Sequence, residues 1–196
     1  MSTYRSNLNP ELVPVRASSG LTWVALLVAL VAVAGSLWMT LGMELKPCPL
    51  CYYERAFAMA AAAVLLVGLL SAAFRSSAVS LLALPCAAAG AGIAGWHEYL
   101  EYTGKLECPK GIFDIGTAPQ QSVAALGLLL LILLIDSLRV RVVGGSRIVG
   151  VLLGLIAGAG MTYGCFMSVL PKPQPPKEPY ETKQPDICRP PYVSPT

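Results

Sequence analysis

The chain is short of charge. Only 13% of its 196 residues are Asp, Glu, Lys or Arg, against about a quarter in soluble globular domains. The net charge is a small +3 and no basic stripe is visible, which excludes an electrostatic nucleic-acid surface. No run alternates apolar and polar residues as a membrane β-barrel strand would, so helices have no competitor as membrane-spanning structure. Histidine occurs once, as His97, and there is no second Cys-x-x-Cys, so spacing alone supplies no four-ligand zinc site.

What the chain has is apolar length: 55% of it is hydrophobic. Five apolar runs cover residues 21–43, 52–74, 79–102, 121–138 and 148–170. Each is close to the roughly 20 residues needed to cross the hydrocarbon layer of a lipid bilayer. Backbone polar groups must be satisfied within the segment there, so the predicted fold is all-α, a polytopic membrane helical bundle followed by a Pro-rich tail over residues 171–196. Ala32-Val33-Ala34 looks like a signal-peptidase site, but the apolar run continues to Met43, beyond the usual signal-peptide core of about 7–15 residues. A retained first helix is expected.

Five spans put the two termini on opposite sides. One side collects Arg5, Arg16, Arg75, Arg139, Arg141 and Arg147. Counted over short loops, basic residues stand six against four in favour of that side being cytoplasmic. The expected orientation has the N-terminus in the cytoplasm and the C-terminus outside it. Four of the six cysteines then share the outer side: Cys48 and Cys51 before the second run, Cys108 between the third and fourth, and Cys188 in the tail. Thiols outside the cytoplasm tend to pair. Cys86 and Cys165 lie inside runs three and five, where cysteine behaves as a small hydrophobe.

The stretch Lys46-Pro47-Cys48-Pro49-Leu50-Cys51-Tyr52-Tyr53-Glu54-Arg55 reads as a helix start, since proline is tolerated in a first turn. A Cys-x-x-Cys there has its sulfurs at the positive end of the helix dipole, which favours thiolate. Cys48, Cys51 and Arg55 are spaced by three and four, so they share one face. The pair reads as redox-active, as a stapling disulfide, or as half of a zinc site. A staple with two intervening residues constrains little chain, and zinc lacks ligands by spacing, so redox chemistry fits best. Arg55 reads as a cation that stabilises a thiolate or a bound anion, or as an interfacial arginine reaching for water. His97, beside Trp96, Tyr99 and Tyr102, reads as a belt residue or as a proton carrier. Glu54 is either a partner of Arg55 or an interfacial charge. Gly150, Gly154 and Gly158 form a small-residue stripe for close packing on another helix, within the chain or in a homo-oligomer.

A Cys-x-x-Cys at the outer start of a second transmembrane helix, followed by Tyr-Glu-Arg, resembles the DsbB family of bacterial inner-membrane thiol oxidases. The resemblance extends through about Ser122, with Ala118-Pro119-Gln120 resembling the entry to that family's last helix. It implies a four-helix core, a membrane quinone (ubiquinone or menaquinone) as electron acceptor, and a DsbA-like thioredoxin-fold protein as thiol donor. It implies that Cys51 lies beside the quinone, that Arg55 holds and polarises it, that His97 serves proton transfer at its head, and that Cys108 is the cysteine that joins the donor. The family carries both loop cysteines between helices three and four. Here that loop holds Cys108 alone, and the expected mate is Cys188, carried outward by a fifth helix, with Cys165 as the fallback. An extended tail at about 3.1 Å per residue reaches far enough. An enzyme like vitamin K epoxide reductase also couples thiols to a quinone, but its quinone-side Cys-x-x-Cys follows the loop cysteines, whereas here it precedes Cys108. A metal-handling or purely structural membrane protein is the remaining alternative.

Overall fold

The computed structural model describes residues 20–71, 76–139, 147–168, 176, 178–181 and 184–192. It contains five long helices: α1 (Gly20–Leu41), α2 (Pro49–Leu70), α3 (Ser76–Tyr102), α4 (Ala118–Arg139) and α5 (Arg147–Ser168). All five are long and apolar enough to cross a membrane. Among the described residues there is no strand, only the isolated bridges Glu107–Arg189 and Lys110–Thr117. The chain is a polytopic helical bundle.

Most helix ends differ by a turn or less from the apolar runs, because capping rather than hydropathy sets them. α2 begins at Pro49, three residues before its apolar run. Cys48 is extended (φ −75°, ψ 166°) and acts as the N-cap, with Pro49 filling a first-turn position. α4 likewise starts at Ala118. α2 ends at Leu70, where the extended Ser71 closes it, while the rest of the expected extension, residues 72–74, lies outside the described residues. So do residues 169–170, and Arg5, Arg16, Arg75 and Arg141 of the orientation argument.

The first four helices pack in cyclic order. α1 neighbours α2 and α4, α3 neighbours α2 and α4, and α1 and α3 face each other diagonally; α5 packs on the outside of α3. Lipid tails are as apolar as the helices, so association rests on close packing rather than on escape from water. The buried positions are accordingly small: Ala25, Ala29, Ala58, Ala61, Ala83 and Ala87 lie between the backbones, with Leu65, Leu84, Leu129 and Leu133 filling the gaps. Large apolar side chains such as Leu27, Val67, Leu131 and Ile156 point outward, as a lipid-facing surface requires.

The glycine stripe of α5 belongs to this intrachain packing. A Cβ at Gly150 would lie 2.9 Å from Leu81 Cδ2, one at Gly154 3.0 Å from Leu84 Cδ2, and one at Gly158 2.6 Å from Ala88 Cβ. The stripe packs on α3 of the same chain, the intrachain one of the two alternatives that the sequence left open. The tail is also not free. Residues 184–192 are fastened to the bundle by Lys46 N–H donating to Asp186 O (2.8 Å) and by paired backbone hydrogen bonds between Glu107 and Arg189 (2.7 and 3.0 Å).

The two ends of the bundle differ. At one end Asp136 of α4 is buried with Thr22 of α1 and Ser80 of α3. Its Oδ2 accepts from Thr22 Oγ1 at 3.0 Å and from Ser80 Oγ at 2.5 Å. At the other end the termini of α1 to α4 meet the docked tail, and there the cysteines gather.

Candidate redox site

The N-terminus of α2 sets the geometry. Cys48 Sγ accepts the Cys51 backbone N–H at 3.2 Å, and the two sulfurs are 2.7 Å apart. A disulfide, at about 2.05 Å, needs less than an ångström of further approach. Cys48 is buried and Cys51 half-buried. The Cys51 thiol donates to Cys48 and holds it below the ordinary thiol range; burial pushes the other way, and the Cys51 and Leu50 backbone N–H groups assist the lowering.

The loop between α3 and α4 is folded back tightly. Gln121, in the first turn of α4, braces it: its amide accepts from Ile112 N–H and donates to the Ile112 and Ile115 carbonyls, each at 2.9 Å. Phe113, Asp114 and Gly116 take positive φ (60°, 55° and 65°). The brace and the Glu107–Arg189 pairing bring Cys108 to Cys188, and a disulfide joins them across 80 positions of sequence with Cα atoms 4.1 Å apart. Cys165 and Cys86 remain free thiols, and Cys86 packs against the core.

His97 links the two pairs. It is fully buried, so it is not one of the outward belt aromatics; its neighbours Trp96 and Tyr99 stack on each other instead, with ring centroids 5.3 Å apart. His97 Nε2 lies 3.2 Å from Cys188 Sγ, 3.6 Å from Cys108 Sγ and 3.7 Å from Cys48 Sγ. On the far side of the ring, Nδ1 is 2.8 Å from Glu54 Oε1, and Glu54 Oε2 accepts from Ser122 Oγ at 2.6 Å. A carboxylate at Nδ1 calls for a proton there, and Nε2 is the nitrogen that faces the sulfurs. Glu54 is therefore neither an interfacial charge nor a partner of Arg55.

Arg55 turns instead to α1. Its Nε donates to Ser36 Oγ (2.9 Å) and its Nη2 to Ser36 O (2.8 Å) and Thr40 Oγ1 (2.6 Å). These bonds use Nε and Nη2, and Arg55 also lines a cavity. That cavity measures about 240 Å³ and is bounded by Val31, Gly35 and Met39 of α1 and by Cys51, Arg55 and His97. Ser36 and Thr40 escaped the sequence reading. Their signal was two hydroxyls one helical turn apart in an otherwise apolar run, on the helix that precedes Arg55.

Comparison with known proteins identifies a family for the chain. The family described as "Disulfide bond formation protein DsbB" matches residues 18–122, a span that holds Cys48, Cys51, Arg55, His97 and Cys108 but neither α5 nor Cys188. A "Disulfide bond formation protein B 1" of Pseudomonas fluorescens (strain Pf0-1) is 32% identical over 83 residues, covering 42% of this chain and 49% of the relative. Its counterpart in strain ATCC BAA-477 / NRRL B-23932 / Pf-5 is 31% identical over 83 residues with the same coverage. The match thus spans about half the length of these curated relatives. No solved structure matches the chain.

Proposed function

The chain belongs to the DsbB family, and from that premise we propose that it is a multi-pass inner-membrane oxidase which takes electrons from a DsbA-like thioredoxin-fold dithiol and delivers them to a membrane quinone. The observation that carries this reading is the convergence on His97 Nε2 of sulfurs from both cysteine pairs, Cys48 at 3.7 Å, Cys108 at 3.6 Å and Cys188 at 3.2 Å. Electrons moved by thiol exchange need sulfurs in reach of one another and a group that handles the thiol proton.

The residues around the cavity suit a quinone. Apolar α1 side chains would pack on a planar ring, Arg55 would hold a ring oxygen, and Cys51, Glu54 and His97 supply polar groups to the lining. A quinone bound there accepts two electrons and two protons. Arg55 is itself kept in place by Ser36 and Thr40, so it orients without having to reorganise.

The exchange steps balance within the chain. A donor thiolate attacks Cys108 Sγ, the Cys108–Cys188 bond breaks, and Cys188 leaves as a thiolate. The donor's second thiolate then attacks its own bridged sulfur, which oxidises the donor and frees Cys108. With the Cys48–Cys51 bond closed, Cys188 attacks Cys48 and Cys51 leaves as the thiolate. Cys108 attacks Cys188 and restores the first disulfide, so two electrons now rest on Cys48 and Cys51. In the exchange between the two pairs, His97 Nε2 takes the proton of an attacking thiol and returns it to the leaving thiolate, and Glu54 balances the charge the ring carries in between. Cys51, at the cavity wall, is the cysteine from which the electrons leave.

The orientation that follows has the N-terminus in the cytoplasm and the cysteine end outside it, in the compartment of a secreted donor. Quinone reduction by the purified chain, driven by a reduced thioredoxin-fold donor, tests the proposal. Cys51→Ser is expected to abolish turnover and Cys188→Ser to stop transfer from the donor. Full turnover in Cys188→Ser removes the tail cysteine from the circuit.

A further inference from the structure

We propose that the reduced chain has a second use for the same sulfurs: Cys48, Cys51, Cys188 and His97 form a tetrahedral Cys3His site for Zn²⁺ that exists only while the Cys108–Cys188 disulfide is open. The donor atoms of these four residues all lie within 4.8 Å of one another. With zinc–sulfur bonds of about 2.3 Å, the donors of a tetrahedral site stand about 3.8 Å apart. The distances from His97 Nε2 to Cys48 Sγ (3.7 Å) and Cys188 Sγ (3.2 Å) are already near that edge, while Cys48 and Cys51, at 2.7 Å, must open by about an ångström.

The surroundings of His97 point the same way. The ring is fully buried, and Nδ1 faces Glu54 Oε1 at 2.8 Å. A carboxylate on the far nitrogen of a ligating histidine is the usual outer support of a zinc site, because it fixes the tautomer and raises the basicity of the metal-facing nitrogen. Cys48 and Cys51 form a Cys-x-x-Cys at a helix start, a common half of a structural zinc site. The sequence lacked a second such pair because the remaining ligands come from the end of α3 and from the tail, 49 and 91 positions apart from their partners at Cys48 and His97.

The redox condition follows from valence. In the disulfide, Cys188 has no thiolate to offer. A two-electron reduction by a dithiol, or by a phosphine in the test, releases it. One Zn²⁺ then displaces three thiol protons and takes the bare Nε2 of neutral His97 as its fourth ligand. Cys108 is left outside the set. Metal and disulfide are mutually exclusive, so bound Zn²⁺ holds the chain reduced and out of turnover. The inference needs only reduced sulfurs and does not depend on the oxidase reading.

The test uses the full chain in detergent, with neither quinone nor donor present, and Co²⁺ as a spectroscopic probe. The phosphine-reduced chain is expected to bind one Co²⁺, with intense tetrahedral absorption and thiolate-to-cobalt charge transfer, displaced by equimolar Zn²⁺. The chain with its disulfide closed should bind at least a hundredfold more weakly. Reduced Cys108→Ser should keep the spectrum, and reduced Cys188→Ser should lose at least tenfold in affinity. Absence of the thiolate–cobalt bands in the reduced chain overturns the proposal, as does equal binding by the Cys108→Ser and Cys188→Ser chains. Quinone reduction measured separately shows whether the oxidase reading stands when the metal site does not.

Discussion

Glu54 Oε1 lies 2.8 Å from His97 Nδ1, and both side chains are buried at the point where two cysteine pairs meet. The pair joins α2 to α3 directly behind the sulfurs, so it couples the packing of the bundle to the proton inventory of the site. Glu54→Gln keeps an acceptor for Nδ1–H and removes the charge that balances a protonated ring, whereas Glu54→Ala removes both. Transfer from Cys188 to Cys48, followed by quenched alkylation, is expected to slow about tenfold in the first and about a hundredfold in the second. The quinone KM should stay unchanged in both. Glu54 also borders the cavity, so a shift in KM with an unaltered transfer rate would mean that it acts on the quinone rather than on His97.

Arg55 spans three acceptors on one turn of α1, and a planar fork is what makes that possible. Lys at this position carries the charge but cannot reach Ser36 Oγ, Ser36 O and Thr40 Oγ1 together. Arg55→Lys is expected to raise the quinone KM about tenfold, equivalent to ~1.4 kcal/mol, and Ser36→Ala to raise it less. Steady-state rates against quinone concentration check this. The exchange between cysteine pairs, read by thiol trapping, should be untouched.

Cys48 gives the pH dependence a sign. The Cys51 thiol, ahead of the opposing burial, holds Cys48 below the ordinary thiol range. In a reduced Cys108→Ser/Cys188→Ser chain, alkylation of Cys48 should rise with pH, with its midpoint below the usual thiol value of about 8.5. Cys51→Ala removes the largest cause, and the midpoint should move up. The folded value lies below the unfolded one. Cys48 therefore adds stability to the reduced fold above the unfolded midpoint, and the gain is lost as pH falls through the folded value. A midpoint unmoved by Cys51→Ala would contradict the assignment.

The five helices and the shared end of four cysteines could be read from hydropathy and parity, because a bilayer allows few backbone solutions. The Cys-x-x-Cys and Arg55 could be read because helical spacing is local. Glu54 could not, since its partners His97 and Ser122 sit 43 and 68 positions away and no periodicity links them. The docked tail was hidden for a similar reason. Its proline content suggests an extended strand, while its attachment depends on one backbone bond to Lys46, a pair of them to Glu107 and the disulfide to Cys108. The α5 stripe was visible as a packing face, but only its contact with Leu81, Leu84 and Ala88 decides for an intrachain neighbour.

Asp136 offers a control at the opposite end of the bundle. Its Oδ2 takes hydroxyl bonds from Thr22 and Ser80, all three side chains being buried. Asp136→Ala leaves those hydroxyls with only each other, at 3.5 Å. The expected loss is about 2 kcal/mol, seen as a lowered unfolding midpoint in detergent. Exchange between the cysteine pairs, assayed well below that midpoint, should run at the unsubstituted rate. A slowed exchange at full folding would mean that the two ends are coupled.

Gly158 and Gly160 separate packing from helix propensity on α5. A Cβ at Gly158 would stand 2.6 Å from Ala88 Cβ, 2.9 Å from Pro85 O and 3.3 Å from Ala89 N, whereas one at Gly160 meets nothing within 4 Å. The atoms crowding Gly158 are backbone or bound directly to it, so they cannot turn aside as a long side chain would. α5 must move away from α3, stretching the Thr162 Oγ1 bond to Ala89 O, now 3.3 Å, and the contact between Phe166 and Trp96, whose ring centroids are 5.5 Å apart. Gly158→Ala is therefore expected to destabilise by about 1–3 kcal/mol. Gly160→Ala should be neutral or slightly stabilising, since alanine is favoured over glycine in a helix by up to about 1 kcal/mol. Thermal unfolding of the two variants in detergent, side by side, checks the difference. Equal midpoints would mean that α5 is not held against α3 by this stripe.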